Sequence, residues 1–324
     1  MQAELWNENQ AFNQYEIVGY MLRQQFSLEQ ILRVDLSYLG RDIDRWWSDK
    51  LNKERNNLSQ RAELFSLISE KIKPEHFKML KSIGLKDSRV SAVLLESVFS
   101  ETCKSLGLLV HECMSKLAGI IDIKYPYEEH KEIFPKENGV VASDWGKGCG
   151  IIRPHSDDLY EDRDINMMSL TVVKDTSSTP TWFWPLENVV SVMSDEDLGY
   201  FALGQARFYS GANVDGQLII QEKPILRSDN CEGLGLRLDF RIDDLVGPRM
   251  RFADPRLEEI FNKLRIGFKK IKPIPTNPST GSVSILANFK VLHGRSSLNP
   301  AMLFEGENSR VLFRSKGIKL GVLC

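Results

Sequence analysis

The chain has no C-x-x-C pair, no apolar run of the roughly 18 residues that a membrane span needs, and no surplus of either charge. Each absence excludes something. Five cysteines, Cys103, Cys113, Cys149, Cys231 and Cys324, are odd in number and widely spaced, so neither a zinc site nor a dithiol redox motif is implied. Reduced thiols in a cytoplasmic protein are the expectation. A formal net charge of -2 removes the electrostatic reason to expect nucleic acid or an anionic membrane as partner. Residues 1–6 lack the basic-then-apolar order of a secretory signal. Internal repeats and low-complexity tracts are also missing. No strand is followed by a glycine-rich turn that opens a helix, which argues against a dinucleotide fold. The glycines of Gly146–Gly150 precede a strand and read as a flexible loop over a pocket.

What remains is an ordinary globular balance, 42% apolar and 27% charged over 324 residues, enough for a large core in one enlarged domain. Up to about residue 118 the pattern is helical. Apolar residues recur at three- and four-residue intervals in Glu16–Arg23, Leu28–Leu32 and Ala62–Ile68, and the run from Ser91 through Val110 reads as one long buried helix. Asn56-Asn57 and Lys73-Pro74 mark breaks, and Trp46-Trp47 reads as a packing pair. From 119 the texture changes to short β-rich runs bounded by Gly, Pro, Asn and Asp. Strand candidates are Gly150–Arg153, Met168–Val173, Thr181–Trp184, Gln217–Ile220, Leu234–Phe240, Val283–Leu292 and Val311–Arg314. One amphipathic helix interrupts them near 254–270, with Asp254 as N-cap, Pro255 in the first turn and Leu257, Ile260, Phe261 and Leu264 on one stripe. The expectation is an α+β chain: a double-stranded β-helix (jelly roll) over 119–324 with a helical support region over 1–118.

The chemistry-bearing feature is His155-Ser156-Asp157, answered far downstream by His293-Gly294-Arg295. In a strand, residues i and i+2 point to the same side, so His155 and Asp157 can grip one ion while Ser156 faces away. Two imidazoles and a carboxylate form the ligand set of non-haem Fe(II) centres that activate O₂ and keep the opposite positions open. A bare H-x-D recurs by chance, and a solvated strand end is the bland alternative. Pro154 suits the first or edge position of a strand. The acids Glu161, Asp162 and Asp164 read as a solvated turn.

Oxidation of an unactivated C–H bond by O₂ needs a second reductant, which 2-oxoglutarate supplies through decarboxylation. Its distal carboxylate needs a fixed cation, and a guanidinium binds carboxylate through two parallel bonds while staying charged. Arg310 opens a strand that can return beside His293, and Thr181 can add a hydroxyl. Arg314 shares the strand face of Arg310 and can meet a substrate carboxylate.

On Arg153–Asp157, Pro180–Trp184, Leu236–Phe240, Asn288–Arg295 and Arg310–Arg314, roughly residues 140–320 resemble the clavaminate synthase-like, taurine dioxygenase-related Fe(II)/2-oxoglutarate oxygenases, including hydroxylases of free amino acids. The resemblance implies iron at His155, Asp157 and His293, and cosubstrate at Arg310 with Thr181. Three departures stand out. The His293–Arg310 loop is long, which leaves Arg295 as a second candidate anchor. Many amino-acid hydroxylases of the group carry Glu at the position of Asp157. Arg241 stands where the arginine hydroxylases carry a second acid.

Asp239 and Asp158 are the candidate partners for substrate amines, with Asp239 equally open to a salt bridge with Arg237 or Arg241. The expected reaction is hydroxylation of an sp³ carbon of a polar or basic L-amino acid, free or carrier-bound, using Fe(II), 2-oxoglutarate and O₂. Two alternatives stay open: the same chemistry on a small dicarboxylate or sulfonate held by Arg241 and Arg314, and a non-catalytic jelly-roll binding protein.

Overall fold

A computed structural model describes residues 13–51, 57–123, 132–133, 148–211, 218–229, 233–302 and 309–319. Its first half interleaves helices with strands: α1 (Gln14–Phe26), β1 (Gln30–Asp35), α2 (Ser37–Leu51), α3 (Asn57–Lys71), α4 (Pro74–Ser82), β2 (Val90–Glu96), α5 (Lys104–Leu117), β3 (Ile120–Asp122) and β4 (Glu132–Ile133). The middle holds β5 (Ile152–His155), β6 (Met167–Asp175), β7 (Thr181–Pro185), α6 (Leu186–Val190), α7 (Asp195–Ala202), β8 (Gln205–Tyr209), β9 (Ile220–Pro224), β10 (Leu226–Asp229) and β11 (Gly233–Leu236). Three two-residue pieces follow, β12 (Ile242–Asp243), β13 (Gly247–Pro248) and β14 (Met250–Arg251). The chain ends through α8 (Pro255–Phe268), β15 (Ile274–Pro275), β16 (Val283–Ala287), β17 (Val291–Arg295) and β18 (Arg310–Lys319).

Two sheets face each other without closing into a barrel. The larger runs β1-β2-β16-β6-β18-β3, with β4 also on β18; the smaller runs β15-β7-β17-β5. Period-2 alternation builds three layers from these strands. On β2, Val93 and Leu95 face α2–α5 and join Leu39, Ile43, Leu64, Ile68 and Val110 in one core. Ala92 and Leu94 face the other way and meet Phe183 and Val291 of the smaller sheet. Beyond that sheet, α1, α6, α7 and α8 close a second core around Phe201, Phe240, Phe261 and Leu292. The α8 signals act as read: Asp254 accepts from the Arg256 N–H at 2.8 Å, and Leu257, Ile260, Phe261 and Leu264 are all buried. Trp47 is buried in the helical core beside Trp46.

Three expectations need correction. Residues 28–32 and 91–99 do not continue helices; they contribute β1 and β2, a parallel pair inside the larger sheet. A strand covered on both faces is apolar at every position, and its sequence imitates a buried helix. The presumed strand 283–292 is two strands, β16 in one sheet and β17 in the other, joined by Asn288–Lys290. The acid Asp164 is not left to water. It takes Lys223 at 2.9 Å, lies 3.6 Å from Arg227 and also holds Arg237. No helix of the described residues is long and apolar enough to cross a membrane. Among those residues Cys103, Cys113 and Cys149 are free thiols.

The Asn288–Lys290 corner is anchored by a buried ion pair. Lys290 Nζ lies 2.8 Å from Glu29 Oε1, both side chains being nearly inaccessible. Burial pushes the Glu29 carboxyl up in pKa more strongly than Lys290 draws it down. Desolvation therefore outweighs attraction, but removing one partner strands the other charge. Lys290→Met alone is expected to cost about 3–5 kcal/mol in urea unfolding, and adding Glu29→Met should recover most of it. A single variant as stable as the parent would refute the pair's role.

Candidate metal centre and its cavity

Strand pairing and a turn put the three proposed ligands together. His155 ends β5 and pairs in antiparallel register with His293 of β17. The Leu238–Phe240 segment runs along the other edge of β5: the Ser156 N–H donates to the Leu238 carbonyl at 2.9 Å, and the Phe240 N–H to the Pro154 carbonyl at 3.0 Å. Past the strand end, Asp157 turns back toward both imidazoles. One donor atom from each of His155, Asp157 and His293 lies within 4.8 Å of the other two, and all three residues are buried. His155 Nε2 is 3.4 Å from Asp157 Oδ1, and His293 Nε2 is 3.6 Å from Asp157 Oδ2.

These residues fit a divalent ion. A carbonyl can only accept, so the 2.8 Å contact of His155 Nδ1 with the Arg153 carbonyl places a proton on Nδ1 and leaves Nε2 as the ring nitrogen that can ligate a metal. Burial, and next His155, hold His293 well below the usual imidazole range. Burial alone would raise the Asp157 carboxyl. His293, His155, Arg314 and Lys316 reverse this and hold it well below the usual carboxylate range. Asp157 Oδ2 is buried with no hydrogen-bond partner among the described residues. Two imidazoles and one carboxylate are a donor set that suits Fe(II).

Asn288 completes this corner, and sequence reading missed it. Fully buried between β16 and β17, its Oδ1 accepts the Asp157 N–H at 2.8 Å. Its Nδ2 donates to the carbonyls of Asp157 at 3.0 Å and Ile165 at 3.1 Å. The one available signal is the polar Asn288 and Lys290 interrupting an apolar run, which marks a turn. Gly294 is explained by packing: a Cβ there would stand 2.6 Å from the Ile152 carbonyl of the paired strand.

A cavity of about 570 Å³, mouth included, opens beside the imidazoles. His155, His293, Thr181, Arg295, Arg310 and Arg314 supply its polar lining, and Met168, Leu170 and Leu312 its apolar wall. Arg295 and Thr181 face each other in the β17–β7 register, one step along from His293. Arg310 enters from the opposite sheet, its Nε on Asp175 Oδ2 at 3.0 Å. Arg295 gives Nη2 to the Gly148 carbonyl at 2.8 Å and Nη1 to that of Ser296 at 3.0 Å. Burial, with Arg310 nearby, presses its guanidinium down to about 9.

The candidate substrate residues are placed less uniformly. Arg314 lines the cavity at its half-exposed end, with Nη1 3.9 Å from Asp157 Oδ2. Asp239, beside His155 in register, is gripped at both oxygens by Arg241, with contacts of 2.7 to 3.2 Å. Of the two salt bridges open to Asp239, the one to Arg241 forms, while Arg237 goes to Asp164. Asp158 is buried 2.6 Å from Lys316, and the Tyr160 hydroxyl donates to it at 3.4 Å. Neither acid belongs to the cavity lining.

No family model and no curated protein matches the sequence. Solved structures do. An asparagine oxygenase in complex with Fe(II), 2S,3S-3-hydroxyasparagine and succinate superposes with a TM-score of 0.65 at 14% identity, over 89% of this chain and 93% of that one. The non-heme iron oxygenase OrfP in complex with Fe and alpha-ketoglutaric acid gives 0.64 at 14%, over 90% and 94%. A mutant of OrfP bound to (3S)-hydroxy-L-Arg gives 0.64 at 13%. The chain shares their fold along nearly its whole length.

Proposed function

We propose that this chain, built like the amino-acid oxygenases it superposes on, is an Fe(II)/2-oxoglutarate-dependent hydroxylase of an L-amino acid. The observation that carries the reading is His155, Asp157 and His293 converging beside a cavity with guanidiniums at its far end. When bound, iron with 2-oxoglutarate and O₂ supplies an oxidant for an unactivated C–H bond, giving C–OH, succinate and CO₂. The chain's own part is to hold and orient. His155, Asp157 and His293 hold the metal on one face. Arg310, aimed by Asp175, and Thr181 receive the distal carboxylate of the cosubstrate, and Leu170 and Leu312 keep water from its stem.

Arg314, at the half-exposed end of the cavity, is the candidate for the substrate α-carboxylate, and Asp158 and Asp239, outside the cavity lining, are the candidates for its amines. Both acids already carry a cation of this chain. A basic side chain would have to displace Arg241 from Asp239, whereas a neutral polar one would not, so a neutral polar amino acid is favoured. The test is succinate release with Fe(II) and 2-oxoglutarate across the twenty amino acids. A polar, uncharged member should stimulate release at least about tenfold over the uncoupled rate, the discrimination expected when buried polar groups must find partners. A flat panel would remove the free-amino-acid reading.

A further inference from the structure

The cationic end of the cavity holds more positive charge than a single carboxylate anchor requires. Arg310 and Arg295 both line it, at 4% and 3% exposure. Arg310 is neutralised through Nε by Asp175. Arg295 spends both Nη atoms on carbonyls, and its buried Nε has no hydrogen-bond partner among the described residues. Carbonyls satisfy donors but cancel no charge. Among the described residues Asp175 is the carboxylate that acts on both guanidiniums, so the pair retains one positive charge at buried positions. A buried cation without a counter-ion is costly, and a ligand carboxylate arriving there removes the cost.

Building on the oxygenase reading, we propose that Arg295 is a second charge for the distal carboxylate of the cosubstrate. Discrimination between dicarboxylic and monocarboxylic 2-oxo acids is then set by two guanidiniums, one from each sheet. Arg310 binds through its free edge. Arg295 acts across the cavity from β17 while holding the Gly148 segment as a wall. An acid lacking the distal carboxylate leaves the surplus charge uncompensated and is rejected on that ground.

The experiment is anaerobic calorimetry of 2-oxoglutarate and 2-oxobutyrate on the Fe(II)-loaded full chain, with iron content measured in parallel. Arg295→Gln should weaken 2-oxoglutarate roughly tenfold, the weight of one charge-assisted contact, and change 2-oxobutyrate less than about twofold. Arg295→Lys keeps the charge but cannot bridge both carbonyls, and should stay within about threefold of the parent. Equal losses for both acids, or a lysine variant as weak as the glutamine one, would assign Arg295 to bracing alone and overturn the proposal. Arg310→Gln supplies an arm independent of how the Arg295 variants fold. A residual preference for 2-oxoglutarate of about threefold or more supports the second charge, and its complete loss refutes it. A parent that holds iron but binds neither acid overturns this inference together with the oxygenase reading. A parent that binds 2-oxoglutarate no better than Arg295→Gln overturns this inference alone.

Discussion

Asp157→Asn should yield a folded chain that no longer retains Fe(II) through desalting and releases no succinate above background. The substitution is nearly isosteric and keeps the backbone N–H that Asn288 accepts. What it removes is the single negative charge among the three donors. Asp157 is ionised in the native chain because His293, His155, Arg314 and Lys316 outweigh its burial. An amide in its place leaves two imidazoles beside Arg314 and Lys316 with no anion among the three donors, a setting that repels a divalent ion. The loss of iron affinity should exceed the 10–100-fold typical of removing a group that merely orients a ligand. Anaerobic Fe(II) titration with metal analysis checks this, with His155→Ala as a second ligand variant. Parent-like iron binding in both would end the metal reading.

The second large effect concerns Asn288, which touches neither cavity nor substrate. Asn288→Ala strips partners from the Asp157 N–H and from the Asp157 and Ile165 carbonyls at a fully buried position. Unsatisfied buried groups cost about 1–3 kcal/mol each, and partial relaxation should leave a net destabilisation of about 2–4 kcal/mol in urea unfolding. The turn that presents the carboxylate then loses its fixed geometry, and Fe(II) affinity should fall about 10–100-fold even where the chain is fully folded. Asn288→Asp keeps the acceptor for the Asp157 N–H but has no donor for the carbonyls, so it should not rescue. Lost stability with unchanged iron affinity would reduce Asn288 to a packing residue.

The difference between these two residues shows what the sequence displays and what it hides. Asp157 is legible because H-x-D puts a carboxylate two residues from an imidazole, although it reaches His155 from a turn just past β5 and not from the face of that strand. Arg310, Arg314 and Thr181, which line the cavity, stand out in the sequence as charged or hydroxyl groups at the ends of apolar β-runs. The α8 caps are local and read true. Asn288 is not legible, since its partners lie 131 and 123 residues away and an asparagine in a turn usually needs no further explanation. Asp175 is hidden likewise, its hold on Arg310 depending on β6–β18 register. The strands β1 and β2 escaped because burial on both faces erases alternation. The boundary between β16 and β17 escaped because both strands are apolar and only three residues separate them.

That three-residue link governs which length changes the gene can tolerate. Fourteen residues lie between Arg295 and Arg310 in the sequence, a spacing at which added residues cost little closure entropy. Residues 288–290 have no such slack. One codon gained or lost there would rotate every following side chain of β17 to the opposite side of its sheet, sending His293 and Arg295 outward and Leu292 inward. Relatives of this chain should therefore vary freely in length after residue 295 and be fixed in length between 287 and 291.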